Sequence, residues 1–232
     1  MNKTVAINGS PRMEEGNTAM VLSPFIQGLI DGGSDVELLY ASRLKVKPCN
    51  CGEMYCWNVM PGECCVKDNM TQLYPKLKEA DILILATPVY IPLPGDMQNI
   101  INRLCPLLDP LLEFREGRTR ARFHKEVGIR KIVLVSTSSW WEKANFATVV
   151  RIIEQLAEDA SVEFAGAVLR PHVNLMKEKG ELTQDGAAIL NAVRRAGFEL
   201  LKDGAITKEI LEEISRPLIS QEGLWRRYNM AL

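Results

Sequence analysis

Five short apolar runs, each ending in a loop that leads toward a helical stretch, constrain this chain more than any other feature. They lie at residues 4–7, 36–40, 81–86, 132–136 and 162–169. Such continuous runs, buried on both faces, are the signature of parallel strands. Helical periodicity fills residues 18–30, 70–80, 146–158, 182–201 and 208–214, and another helix begins within 97–104. Pro24 inside the first of these requires the ladder to bend there. Alternating strand and helix predicts an α/β fold with a doubly wound parallel sheet. In such sheets ligands sit beyond the carboxyl ends of the strands. Three candidate loops, beginning at Asn8, Thr87 and Ser136, all follow strand ends.

The 232 residues suit a single domain over 1–232, and no repeat or low-complexity linker divides them. A net charge of −1 argues against a nucleic-acid binder or a protein drawn to anionic membrane. No apolar stretch is long enough to span a bilayer. Met1-Asn2-Lys3 runs straight into a strand without an apolar leader or cleavage site, so a cytoplasmic location is expected. Five of the six cysteines fall within residues 49–65. In a cytosolic protein that density points to metal ligands or redox groups rather than disulfide staples.

The first loop reads Gly9-Ser10-Pro11-Arg12, then Gly16-Asn17-Thr18 at the opening of a helix. A helix start presents unpaired N–H groups and a partial positive charge, so it attracts phosphate. Ser10, Asn17 and Thr18 add neutral donors, and Arg12 adds a charged one. The alternative is an ordinary capped helix with Asn17 or Thr18 as its cap. The loop lacks the Gly-Lys-Ser/Thr ending of a P-loop and the Gly-x-Gly-x-x-Gly of a dinucleotide fingerprint.

With Thr87-Pro88-Val89-Tyr90 and Ser136-Thr137-Ser138-Ser139-Trp140-Trp141-Glu142, this loop resembles the NADPH-dependent FMN reductase family of flavodoxin-like proteins. The resemblance covers almost the whole chain. It implies a three-layer α/β/α sandwich around a five-stranded parallel sheet. It implies FMN, with its phosphate on Ser10, Arg12, Asn17 and Thr18 and its ring against Pro88, Val89, Tyr90, Ile91, Ser138 and Trp141. Tyr90, Trp140 and Trp141 have the alternative of simple packing at strand ends.

The likeness is strongest to the iron–sulfur flavoprotein branch, which carries a cysteine insert after the second strand. Here the insert occupies about 44–69, and a second excursion about 108–128. Thiolates are soft ligands for iron–sulfur clusters or zinc. The branch implies a [4Fe-4S] cluster on four cysteines, and Lys67-Asp68-Asn69-Met70 resembles the segment after its fourth ligand. That register implies Cys49, Cys51, Cys56 and Cys64 as ligands, with Cys65 outside the set. The spacing departs from the compact family motif, since the gaps are one, four and seven residues. Zinc, or free thiols without metal, stand as alternatives. Cys105 reads as a core residue at the end of a helix.

His124 and His172 have no carboxylate at a suggestive spacing, so both read as structural or exposed. Arg115, Arg118, Arg120, Arg122, Lys125, Arg130 and Lys131 form a basic stretch. It reads as a solvated loop, a subunit contact, or a docking surface for ferredoxin or the extra phosphate of NADPH. The implied activity is electron transfer between a cluster and FMN. The alternatives are an NAD(P)H-dependent FMN or quinone reductase without a cluster, a non-enzymatic flavodoxin-like carrier, and a zinc-stabilised domain. A homodimer or homotetramer is implied by the resemblance alone.

Overall fold

The computed structural model describes residues 2–230. In chain order the elements are β1 (Lys3–Asn8), α1 (Asn17–Asp31), β2 (Asp35–Tyr40), α2 (Ala41–Leu44), α3 (Tyr55–Asn58), α4 (Met70–Glu79), β3 (Ile82–Pro88) and α5 (Gly95–Asn102). They continue with β4 (Glu113–Arg115), β5 (Arg118–Arg120), β6 (Lys131–Thr137), α6 (Ala147–Ala160), β7 (Glu163–Arg170), β8 (Lys177–Glu178) and β9 (Glu181–Leu182). Three helices close the chain: α7 (Gln184–Asp203), α8 (Lys208–Ser215) and α9 (Gln221–Asn229).

The main sheet has the order β2-β1-β3-β6-β7, with every neighbouring pair parallel. This is the flavodoxin-like order, with the switch point between β1 and β3. The strands expected from the sequence are all present. Their side chains alternate between two cores, as the pleat requires. Val5, Ile7, Leu83, Leu85, Ile132 and Leu134 face one side and meet α4, α5 and α6. Ala6, Ile84, Ala86, Val133 and Val135 face the other and meet α1, α7 and α8. On that side α1 and α7 cross at backbone contact. A Cβ at Gly28 would lie 1.9 Å from the Arg194 carbonyl, and one at Gly197 would lie 2.1 Å from that of Phe25. Only glycine permits this approach.

Two segments differ from the sequence expectation. The excursion at 108–128 contains the short antiparallel hairpin β4–β5. Residues 216–230 fold back and form α9, which buries only Leu224 and shows little apolar periodicity to betray it.

The cysteine insert leaves and rejoins the fold at one buried ion pair. The side chains of Arg103 and Asp68 are 1 % and 5 % exposed. Arg103 donates two hydrogen bonds to the Asp68 carboxylate, at 2.9 and 3.1 Å. It also donates to the carbonyls of Lys47 (2.9 Å) and Val66 (3.2 Å), one on each stem of the insert. Asp68 in turn accepts from the backbone N–H of Lys47 and Met70. One planar guanidinium thus closes the neck of a loop of about twenty residues, for which a bidentate fork is well suited.

Burial opposes ionisation of Asp68, but the Arg103 guanidinium and the two N–H donors hold its carboxyl below the usual range. Because its folded value lies below the unfolded one, its stabilisation is complete above about pH 4 and is lost as the pH falls further. Arg103→Met leaves a buried carboxylate without its cation and is expected to lower unfolding free energy by about 3–5 kcal/mol in urea denaturation. A loss below about 1 kcal/mol would show that the other contacts of the neck suffice without the guanidinium.

Candidate functional site

Ladder hydrogen bonds hold the ends of β1, β3 and β6 level. Asn8 pairs with Ala86, Thr87 with Ser136, and Pro88 with Thr137. Beyond the strands the pairing continues, from Gly9 N–H to the Ala86 carbonyl (2.7 Å) and from Val89 N–H to that of Thr137 (2.9 Å). The three loops therefore start side by side. Buried Asn8 shapes the first of them by accepting from Ser10 N–H at 2.9 Å. The loop then folds so tightly that a Cβ on Gly16 would lie 2.6 Å from the Ser10 Oγ. Gly16 caps α1 without any side-chain bond, which leaves the first-turn N–H groups available to a ligand.

These features frame a cleft of about 270 Å³ at the α1 N-terminus. Ser10, Arg12, Asn17 and Thr18 line one wall, and Pro88, Val89, Tyr90 and Ser138 line the other. The sequence expected all eight. Thr18 Oγ1 shares a hydrogen bond with Thr137 Oγ1 at 3.0 Å. Arg12 is exposed at the rim and Tyr90 is 52 % exposed at the mouth. Two expected residues lie apart from the cleft. Ile91 projects fully into solvent. Trp141 turns toward the C-terminal segment, where its indole N–H donates to the Ile219 carbonyl at 2.9 Å.

The sequence reading missed Thr137, Ser139, Val173 and Asn174, which also line the cleft. Asn174 is the most connected of them. It accepts from Asn17 Nδ2 at 2.6 Å and donates to Ser139 Oγ at 2.9 Å and to Tyr228 Oη at 3.4 Å. It thus ties the start of α1, the β6 loop and α9 together. Ser139 and Asn174 also border a second, more apolar cavity of about 750 Å³, with Trp140, Trp141, Trp225 and Tyr228 in its walls.

The C-terminal segment is pinned beside the cleft by Arg170 and His172, both essentially buried. Arg170 donates to the carbonyls of Ile214 (2.6 Å) and Arg216 (3.0 Å). Its other arm donates to His172 Nε2 at 2.8 Å, and the Leu218 N–H donates to the same nitrogen at 3.0 Å. His172 must therefore be neutral, with its proton on Nδ1. Arg170 faces no carboxylate, and burial, then the Arg216 charge, pushes it down to about 10.

The cysteines form a second locus. Sγ of Cys49 and Cys51 lie 3.6 Å apart. Cys56 is buried on α3, and the next residue, Trp57, donates its indole N–H to the carbonyl of Cys105, outside the insert, at 3.3 Å. The Tyr74 hydroxyl donates to the Arg103 carbonyl at 2.8 Å, and Cys64 is only partly exposed. Cys65 is exposed. Burial, then the neighbouring Cys105 thiol, pushes Cys56 up to about 12, and burial also raises Cys49 and Cys105. Without metal these thiols are protonated at neutral pH. Among the described residues, no three His, Cys, Asp or Glu side chains already converge on one metal position. The donors are of the right kind for a soft metal centre, and two of them, Cys49 and Cys51, are already in contact.

The basic excursion is largely paired. Arg120 lies 3.5 and 3.3 Å from Glu158 and Asp159, and Arg122 lies 2.8 Å from Glu113. Arg118 joins Arg115, Arg120 and Arg151 around a cavity of about 560 Å³.

Sheet order, level strand ends and an uncapped helix start together define a flavodoxin-like fold with an open cleft at the carboxyl edge of its sheet. The chain belongs to the NADPH-dependent FMN reductase family, whose pattern matches residues 2–141. It is 35 % identical to an iron–sulfur flavoprotein of Archaeoglobus fulgidus over 106 residues, 45 % of this chain and 46 % of that protein. It is 30 % identical to an iron–sulfur flavoprotein of Methanocaldococcus jannaschii, again over 106 residues, 45 % of this chain and 53 % of that one. The match thus spans about half the length of these relatives. The fold resembles an NAD(P)H:quinone oxidoreductase from Methanothermobacter marburgensis, with a TM-score of 0.56 and 16 % identity over 85 % of this chain and 95 % of that one. It also resembles an FMN-dependent NADH-azoreductase from Bacillus anthracis, with a TM-score of 0.58 and 11 % identity over 88 % and 97 %. Among the described residues, no helix is long and apolar enough to cross a membrane.

Burial, then the Arg170 charge, pushes His172 down to about 4, whereas an unfolded histidine titrates near 6.5. The unfolded chain therefore binds the proton first as the pH drops. Stability is complete above about pH 6.5 and declines toward about pH 4. We expect a loss of about 2 kcal/mol between about pH 7 and pH 5 in urea denaturation, and His172→Gln should flatten that slope. An unchanged slope would show that the imidazole is not held neutral.

Proposed function

We propose that this chain is an FMN-dependent oxidoreductase whose electrons pass between a thiolate-bound [4Fe-4S] cluster and the flavin. The observation that carries the FMN assignment is the cleft at the uncapped start of α1, lined by hydroxyl and amide groups from three level loops. The first-turn N–H groups, Ser10, Asn17 and Thr18 receive the phosphate, and Arg12 at the rim adds a cation. Pro88, Val89, Tyr90 and Ser138 offer peptide and aromatic surface to the ring. Bound FMN supplies the redox chemistry, taking a hydride or single electrons. The protein binds and orients it, and Asn174 keeps Asn17 aimed at the phosphate. No side chain is assigned as acid or base.

The cluster assignment is supported by the soft donor set and by the printed names of the iron–sulfur flavoprotein relatives. Cys49, Cys51 and Cys56 supply three ligands, and the motif register nominates Cys64 as the fourth. Cluster binding would release the thiol protons. The donor is ferredoxin or NAD(P)H, and the protein works in the cytoplasm as a homodimer or homotetramer. A second reading, an NAD(P)H-linked flavin reductase whose thiols hold no metal, is favoured because among the described residues no three donors converge on one metal position.

Ser10→Ala combined with Asn17→Ala removes two donors to a charged phosphate. At about 1.5–3 kcal/mol per bond, FMN should bind at least about a hundredfold more weakly in a fluorescence-quenching titration. Unaltered affinity would refute this phosphate site.

A further inference from the structure

We propose that the aromatic cavity between the β6 loop and α9 seats the electron acceptor, a neutral planar quinone. This rests on the FMN reading given above and names the substrate that draws electrons from that site. The cavity, of about 750 Å³, has the size and lining of a small-molecule site. It adjoins the FMN cleft, with Ser139 and Asn174 in the walls of both. Trp140, Trp225 and Tyr228 are 63 %, 65 % and 45 % exposed, so three aromatic side chains stand open to a flat ligand. The frame that carries them is fixed. The Trp140 carbonyl accepts from His172 N–H at 2.8 Å, the Trp141 indole is held by the Ile219 carbonyl, and Ser220 caps α9 by accepting from Gly223 N–H at 3.0 Å.

The polar groups of the wall select the ligand. No Lys or Arg lines the cavity, so an anion has no partner there. Glu142 is its one carboxylate, and both oxygens already accept, from Gln221 Nε2 at 2.7 Å and from Asn145 Nδ2 at 3.2 Å. At the end shared with the cleft, Asn174 Nδ2 donates to Ser139 Oγ and to Tyr228 Oη. Both hydroxyl oxygens thus act as acceptors, and among the described residues neither O–H donates elsewhere. Two spare donors beside open aromatic faces match a flat molecule with carbonyl oxygens on its edge, which a quinone is. Two electrons and two protons pass from reduced FMN to the quinone, whose two carbonyls become hydroxyls. NAD(P)H and one solvent proton restore the reduced flavin.

The test is a calorimetric titration of the oxidised, FMN-loaded chain with duroquinone, whose ring positions are all methylated so that cysteine thiols cannot add to it. Wild type should bind one duroquinone per chain without releasing FMN. Trp225→Ala should weaken duroquinone binding about tenfold, and Tyr228→Phe, which removes one donor, about fivefold. The Trp225 side chain is largely exposed, so its truncation removes little packing, and FMN affinity of Trp225→Ala should equal that of wild type. Unchanged duroquinone affinity in either variant, displacement of FMN by duroquinone, or no duroquinone binding by an FMN-loaded wild type would overturn the acceptor site alone. A wild-type chain that does not hold FMN would overturn the flavin reading with it.

Discussion

The cleft depends on the ladder that holds the ends of β1, β3 and β6 level, because most of its lining groups follow one of those three ends. Main-chain bonds carry that register past the last strand residues, to Gly9 and Val89. Asn8 is polar and wholly buried where an apolar residue would pack as well. Its role is local. By accepting from Ser10 N–H it fixes the turn that follows β1 and leads into α1. The close approach at Gly16 completes the turn and leaves the helix start bare. A phosphate is the natural partner for such a place, since it satisfies donors that would otherwise rely on water.

Two buried arginines attach the parts that set this chain apart from a minimal flavodoxin-like sheet. Arg103 gathers both stems of the cysteine insert and is balanced by Asp68. Arg170 gathers the C-terminal segment and is balanced only by carbonyl dipoles and a neutral imidazole. Its charge persists in that setting because guanidinium is hard to deprotonate. Both pins lie toward the carboxyl edge of the sheet. The Arg170 carbonyl also accepts from Ser138 N–H, which couples the C-terminal segment to the cleft wall.

Much of this was legible in the sequence. The strand runs at 4–7, 81–86 and 132–136 carry their own period, and the Ser10 to Thr18 loop carries its chemistry in order along the chain. What was not legible depends on tertiary contact. Asn174 follows the last strand with no motif around it, and its importance comes only from facing Asn17 and Tyr228 at once. Helix α9 is polar, with one buried residue, so no periodic stripe announced it. Trp141 and Ile91 have the right composition for a ring site, but residue type does not report direction.

The most direct test of the central claim is a crystal structure of the chain soaked or grown with FMN. The account predicts the phosphate at the first turn of α1, within hydrogen-bond distance of Ser10, Asn17 or Thr18, and the ring against Pro88 to Tyr90. FMN bound with its phosphate elsewhere, or no binding at saturating FMN, would contradict it.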